Sequence, residues 1–170
     1  MDQPRGANVD PSFDLTLHIG ARSGSSVGVL ILGDDVAAPV MAPELWVQSG
    51  RPKDVSALTT MRLLHDRDSE VNWERWRSEI GPIELETKIG PRLTSSDLAL
   101  QAAELGYGVA ICRGRLAAAS LAAGKLVCPF GTLSIPLTSA WWLYEGERCK
   151  QKQSVRQVRE WLMAEFSSHD

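Results

Sequence analysis

The chain has 170 residues, 44% hydrophobic and 23% charged, enough for one ordinary domain or two small lobes. A net charge of −3 without any block of like charges leaves no electrostatic footprint for nucleic acid over the chain as a whole. No apolar run approaches the roughly 20 residues that cross a bilayer. The polar start Met1-Asp-Gln-Pro-Arg-Gly-Ala-Asn8 lacks a signal-peptide core, so the expectation is a soluble cytoplasmic protein.

Residues 1–10 read as disordered. Phe13 to Ile19 alternates apolar and polar and predicts a strand, followed by a flexible loop over Ala21 to Ser26. Val27 to Leu32 and Val36 to Met41 are two further strands around Gly33-Asp34-Asp35. Pro43 opens a short helix through Gln48, and Asp54 caps another containing Val55 and Leu58. Met61 to His65 is strand-like. From about Ser69, Trp73, Trp76 and Ile80 repeat at helical spacing until Gly81-Pro82, and Glu84 to Leu93 reads as a strand interrupted at Gly90-Pro91.

Thr94, Ser95 or Ser96 then caps a helix with Leu98, Ala102 and Leu105 on one face and Gly106 at its left-handed stop. Val109 to Ile111 has no polar alternation, as in a strand covered on both faces. Arg115 to Ala123 is helical up to Gly124, and Lys125 to Phe130 and Ala140 to Tyr144 are strands. The last helix carries Ser154 and Gln157 as a capping box and Val155, Val158, Leu162 and Phe166 as its stripe. Strands alternating with helices imply an α/β fold with a largely parallel sheet.

Little in the pattern suggests chemistry on a substrate. There is no Gly-x-Ser-x-Gly elbow, phosphate-binding glycine loop or zinc-binding histidine pair, so no enzyme, cofactor or metal is expected. Cys112, Cys128 and Cys149 show no metal-ligand spacing; the first two sit in apolar runs as small hydrophobes, and the odd set suggests a reducing compartment. The densest positive stretch, Arg148, Lys150, Lys152, Arg156 and Arg159, reads as a solvated helix face.

The order of several fragments resembles the effector-binding domain of LysR-type transcriptional regulators, in the branch of glycine-cleavage activators and β-lactamase regulators. These fragments are Phe13-Asp-Leu-Thr-Leu-His-Ile-Gly20, Leu30 to Leu45, and Leu63-Leu-His-Asp66 with Trp73 and Trp76. They continue with Leu98-Ala-Leu-Gln-Ala-Ala103, Gly106-Tyr-Gly-Val-Ala110, Leu121 to Phe130, Trp141-Trp-Leu143 and Trp161-Leu162. The resemblance implies a two-lobed α/β fold of the type II periplasmic-binding-protein kind. Residues 31–129, with the hinge crossings near Leu30–Asp35 and Cys128–Phe130, would form a complete second lobe. Residues 11–30 and 130–170 would form a partial first lobe. The family's helix-turn-helix and the opening part of its first lobe find no counterpart here, so DNA would be reached only through a helix-turn-helix absent from this chain.

The resemblance also implies a cleft that takes a small-molecule effector: a metabolite, an amino acid or a cell-wall fragment. Thr94, Ser95 and Ser96 would hold a carboxylate or amide with their hydroxyls and the following N–H groups, one of them being equally a plain helix cap. Trp141 stands where relatives often carry a tyrosine that reaches the cleft, with a core aromatic as the even alternative. His18 matches an often basic position, although a satisfied strand histidine is the common case. Arg113 would pair with an effector anion or with Asp34 or Asp35, the structural role being favoured; His65, Trp73 and Trp76 read as structural. Paired domains are implied, as a homodimer or a heterodimer with a related regulator. The rival readings are a headless interaction protein that pairs with full-length regulators and a cytoplasmic solute-binding protein.

Overall fold

The computed structural model describes residues 12–21, 28–146 and 152–167. The expected N-terminal disorder, most of the 21–26 loop, Arg148, Cys149 and Lys150 lie outside them. No helix among the described residues is long and apolar enough to cross a membrane. The chain divides into two compact units: Met1–Asp35 with Leu137–Asp170, and Val36–Pro136.

The first unit is built on three strands, β1 (Leu15–Ala21), β2 (Val29–Gly33) and, from the far end of the chain, the strand Ser139–Glu145. That last strand lies between the other two, antiparallel to both. Alternation puts Leu143 in the core, while a register shift between Ile31 and Gly33 bends β2. The C-terminal helix Gln153–Ser167 packs against this sheet. Its Val155 is buried, Phe166 lies against Trp141, and Arg159 pairs with Glu145 at 3.3 Å. Val158, expected in the buried stripe, is exposed, and Ser154 lies inside the first helical turn rather than at its cap.

The second unit starts with β3 (Val36–Val40), followed by α1 (Pro43–Gln48) and a 3-10 helix (Val55–Thr60) capped by Asp54, whose Oδ1 accepts from the Ser56 amide. Then come β4 (Leu63–Leu64), α2 (Trp73–Glu79), α3 (Ser96–Glu104), β5 (Val109–Arg113), α4 (Gly114–Ala122) and β6 (Ile135–Pro136). The central strand of the first unit is thus β7, and the last helix α5. In the second sheet the order is β4-β5-β3-β6, with β5 buried at every position.

Among the described strands only β4 and β5 pair in parallel; β3 is antiparallel to both β5 and β6, so neither sheet is the largely parallel one that the alternation of elements implied. Alternation of strands and helices fixes the elements but not the direction in which a returning strand enters the sheet. Two expected strands are also missing. Glu84 to Leu93 contributes only a single bridge, His65 to Arg92, and Lys125 to Phe130 only Met41 to Val127. Gly90 packs so closely on the Leu63 carbonyl that no Cβ fits there, and its φ of 137° breaks any extended run. After Val127, Pro129 offers no amide and the Gly131 amide turns back to the Cys128 carbonyl. The second crossing between units falls at Pro136–Leu137, beyond the Cys128–Phe130 segment, because Ile135–Pro136 still pairs with β3.

The core of this unit packs α3 and α4 on the sheet through Val40, Leu64, Ala99, Leu100, Ala103, Ala110, Ala117 and Leu126. On α3 the buried face is Ala99, Leu100 and Ala103; of the stripe read from the sequence, Leu98 is 46% and Leu105 72% exposed, while the half-buried Ala102 packs against the core. Ala99 and Ala103 flank Leu100 in this face, and their small side chains let the helix approach the sheet closely. Trp73 and Trp76 are fully buried, and Trp73 Nε1 donates to the Leu64 carbonyl at 2.9 Å, tying α2 to β4.

Candidate functional site

In the second unit three segments converge: the loop after β4, the turn before α3 and the end of β5. Ser95 is the N-cap of α3, with extended backbone and a side-chain oxygen that accepts from the Leu98 amide at 3.3 Å. The amides of Ser96 and Asp97 at this end have no intrahelical partner, and Asp97 suits the positive pole of the helix. Ser96 Oγ donates to Asp66 Oδ2 at 2.5 Å. Thr94 is exposed beside them.

Asp66 begins a loop whose acidic side chains fold back on its own backbone. Its Oδ1 accepts from the Asp68 amide at 2.9 Å, and Asp68 Oδ1 accepts from the amides of Glu70 and Val71. Arg113, at the end of β5, donates from Nε to Asp68 Oδ2 at 2.8 Å and pairs with Glu70 at 3.4 Å. Asn72 then caps α2, accepting from the Arg75 amide. Burial would push the Asp68 carboxyl up. The hydrogen bond from Arg113, the two amides and the guanidinium charge outweigh it and hold that carboxyl below the usual carboxylate range. The loop is thus pinned at one end to α3 and at the other to β5.

His65, just before this loop, is tied to the segment that leads into α3. Its backbone bonds Pro91 and Leu93, and Nε2 lies 3.1 Å from the Ile89 carbonyl. A cavity of about 380 Å³ in the same unit, bordered by Leu58, Met61, Leu85 and Ile89, includes none of Thr94, Ser95, Ser96 or Arg113. Cys112 is buried and Cys128 half-buried; burial pushes the Cys128 thiol up, as for a packing residue.

The remaining two candidates lie in the first unit. Trp141 is buried, and its Nε1 donates to Asp35 Oδ2 at 2.8 Å. His18 sits opposite Trp142 across β1 and β7, with rings stacked at 4.4 Å. Trp141 and Trp142 point to opposite faces of the strand, so His18 and Trp141 do not share a face. The buried atoms Thr16 Oγ1, His18 Nε2 and Trp142 Nε1 have no hydrogen-bond partner.

Ser96 and Arg113 are therefore linked through one loop, a link the sequence reading did not make. Asp66, Asp68 and Glu70 were the residues it passed over. The signal was present: a buried arginine at a strand end requires carboxylates, and acids at every second position in a turn-rich segment can supply them.

The chain matches the family described as the LysR substrate binding domain over residues 4–167. The glycine cleavage system transcriptional activator of Escherichia coli K12 is 27% identical over 155 residues, 91% of this chain and 50% of that protein. The HTH-type transcriptional regulator DsdC of the same strain is 32% identical over 129 residues, 72% of this chain and 41% of the relative. The chain spans about half the length of the curated relatives it matches. Among solved structures, the AmpR effector-binding domain of Citrobacter freundii superposes with a TM-score of 0.69 at 23% identity, covering 94% of this chain and 79% of that one. The AmpR effector domain of Pseudomonas aeruginosa gives the same score at 22% identity, covering 95% and 77%. By fold this is a type II periplasmic-binding-protein-like arrangement, and by sequence the chain belongs to the LysR substrate-binding domain family.

Proposed function

We propose that the chain is the effector-sensing part of a transcriptional regulator, and that it binds a small polar metabolite, amino acid or cell-wall fragment without transforming it. The effector meets the Thr94–Ser96 corner of the Val36–Pro136 unit. What carries this reading is the latch beneath the corner: Ser96 held by Asp66, in a loop clamped to Arg113. A polar site works best when its groups are fixed before the ligand arrives, and this loop is fixed at both ends. Bound effector then favours one of two arrangements, by an amount equal to its difference in affinity for them. Transmission to DNA requires a helix-turn-helix supplied outside these residues, and the site of action is the cytoplasm. Within the first unit, the Asp35 bond of Trp141 favours an internal anchor, and His18 stacks on Trp142.

The test is thermal unfolding of the folded chain across a panel of amino acids and muropeptides, repeated with Ser96→Ala and Thr94→Val. Stabilisation that either substitution abolishes supports the corner as the site. A folded chain that no compound stabilises refutes sensing by this chain.

A second reading, pairing with a related regulator, has one observation in its favour: Leu98, Leu105 and Tyr107 form an exposed apolar face around the outer side and end of α3. Co-purification with a full-length relative, lost in Leu105→Lys, is its readout.

A further inference from the structure

The latch that joins the corner to Arg113 has a second branch. Arg75, in the first turn of α2, donates from Nη1 to the Glu70 carbonyl at 3.3 Å and from Nη2 to the Pro136 carbonyl at 2.7 Å. Its Nε pairs with Glu79, one helical turn on, at 2.7 Å. A guanidinium carries its donors in one rigid plane, so the carboxylate that takes Nε helps to fix where the other two nitrogens point. Those two nitrogens meet backbone oxygens from widely separated parts of the chain.

Pro136 is the last residue of the Val36–Pro136 unit, and the chain crosses to the other unit immediately after it. In β6 it lies opposite Val36, and the next residue, Leu137, donates its amide to the Asp35 carbonyl at 3.0 Å. Bonded and non-bonded pairs alternate along an antiparallel ladder, so the Pro136 carbonyl turns away from β3, to the open side of the strand. Proline brings no amide there. Arg75 takes up this outward carbonyl and ties it to the loop that also latches Ser96.

Followed from the corner, the hydrogen bonds are continuous. Ser96 Oγ donates to Asp66, Asp66 accepts from the Asp68 amide, and Asp68 accepts from the Glu70 amide. The Glu70 and Pro136 carbonyls then share one guanidinium. We propose that Arg75 is a positioning residue for effector sensing, coupling the Thr94–Ser96 corner to the strand end at which the chain leaves the unit. A displacement of the loop on occupation of the corner moves the Glu70 carbonyl, and the rigid fork carries that displacement to Pro136. Arg75 touches no effector. Its part in sensing rests on the corner being the effector site, whereas the coupling is a property of the chain without ligand.

Native-state hydrogen exchange of the full chain, with no ligand added, tests the coupling. The Leu137 amide reports on the crossing, and Ser96→Ala breaks the first link at the far end. Rates are read against the Val127 amide, bonded to Met41 in the same unit, which reports on general stability. With Arg75 in place, Ser96→Ala is expected to speed Leu137 exchange about threefold or more relative to Val127. In an Arg75→Met background the relative rate starts higher, and Ser96→Ala leaves it unchanged. Arg75→Lys keeps a cation beside Glu79 but has no rigid fork for two carbonyls, and it should behave as Arg75→Met does. An arginine that merely covers a strand edge would alter Leu137 exchange by the same factor whichever residue stands at position 96. That additivity, or a Leu137 amide indifferent to Ser96→Ala while Arg75 is present, would overturn the proposal. Non-additive rates support the coupling even where no compound stabilises the chain, so it and the sensing reading fail separately.

Discussion

Arg113 Nε lies 2.8 Å from Asp68 Oδ2, with the arginine side chain only 5% exposed. A guanidinium this deep is stable only while its carboxylates remain, and the carboxylates hold their loop only while the guanidinium remains. Arg113→Met is expected to cost about 3 kcal/mol or more, since it leaves Asp68 and Glu70 without their cation. Urea unfolding, compared through midpoints at constant slope, measures it.

The same pair sets an acid limit on stability. The folded Asp68 carboxyl sits below its ordinary value of 3.8, so the unfolded chain takes up the proton first as pH falls. The contribution is complete above that ordinary value and disappears as pH drops through the lower folded one. Asp68→Asn should flatten the acid limb of a stability-against-pH curve relative to the unsubstituted chain. Parallel curves for the two proteins would contradict this.

At the start of α3, Ser95→Ala removes the oxygen that accepts from Leu98 and is expected to cost about 1 kcal/mol, whereas Ser95→Gly costs only a few tenths. Thermal melts of the two, side by side, separate capping from ligand contact. A ligand effect that vanishes equally in both variants belongs to the hydroxyl and not to helix stability.

Trp141→Phe keeps the ring against Phe166 but leaves Asp35 without the indole donor. A loss of about 2 kcal/mol is expected, in the range for removing a buried hydrogen bond to a carboxyl group. Equilibrium denaturation of the variant gives the number directly.

Gly90→Ala drives a methyl group into the Leu63 carbonyl at a backbone conformation foreign to alanine. It should destabilise the Val36–Pro136 unit by roughly 2 kcal/mol or more. Substitution at Gly124, where a Cβ meets nothing, serves as the comparison; its left-handed φ of 69° alone should cost less.

Local signals carried the sequence reading as far as local signals reach. Asp54, Ser95 and Pro43 mark helix starts because capping and proline geometry are written within a few residues. Trp73 and Trp76 are core because a helical repeat of indoles has few other uses. The expected α3 face is rotated from the observed one, because Ala99 and Ala103 carry little hydrophobic signal of their own. Ala99 and Ala103 bury because the helix comes close to the sheet, and that distance is set by β5. The direction of β3 and the latch from Asp66 to Arg113 depend on residues far apart in the chain, which no window of sequence brings together. The family fragments did reach that far, since an ordered series of motifs stands for a whole topology.

The bond between Ser96 and Asp66 has a bearing on what the corner can recognise. With its only proton committed to the aspartate, Ser96 Oγ could offer the proposed effector only its lone pairs. Under the proposed function, an ammonium, amide N–H or hydroxyl group would suit that oxygen and a bare carboxylate would not; a carboxylate would be left to the amides of Ser96 and Asp97 a few bonds away. A molecule bearing both kinds of group would find each one answered.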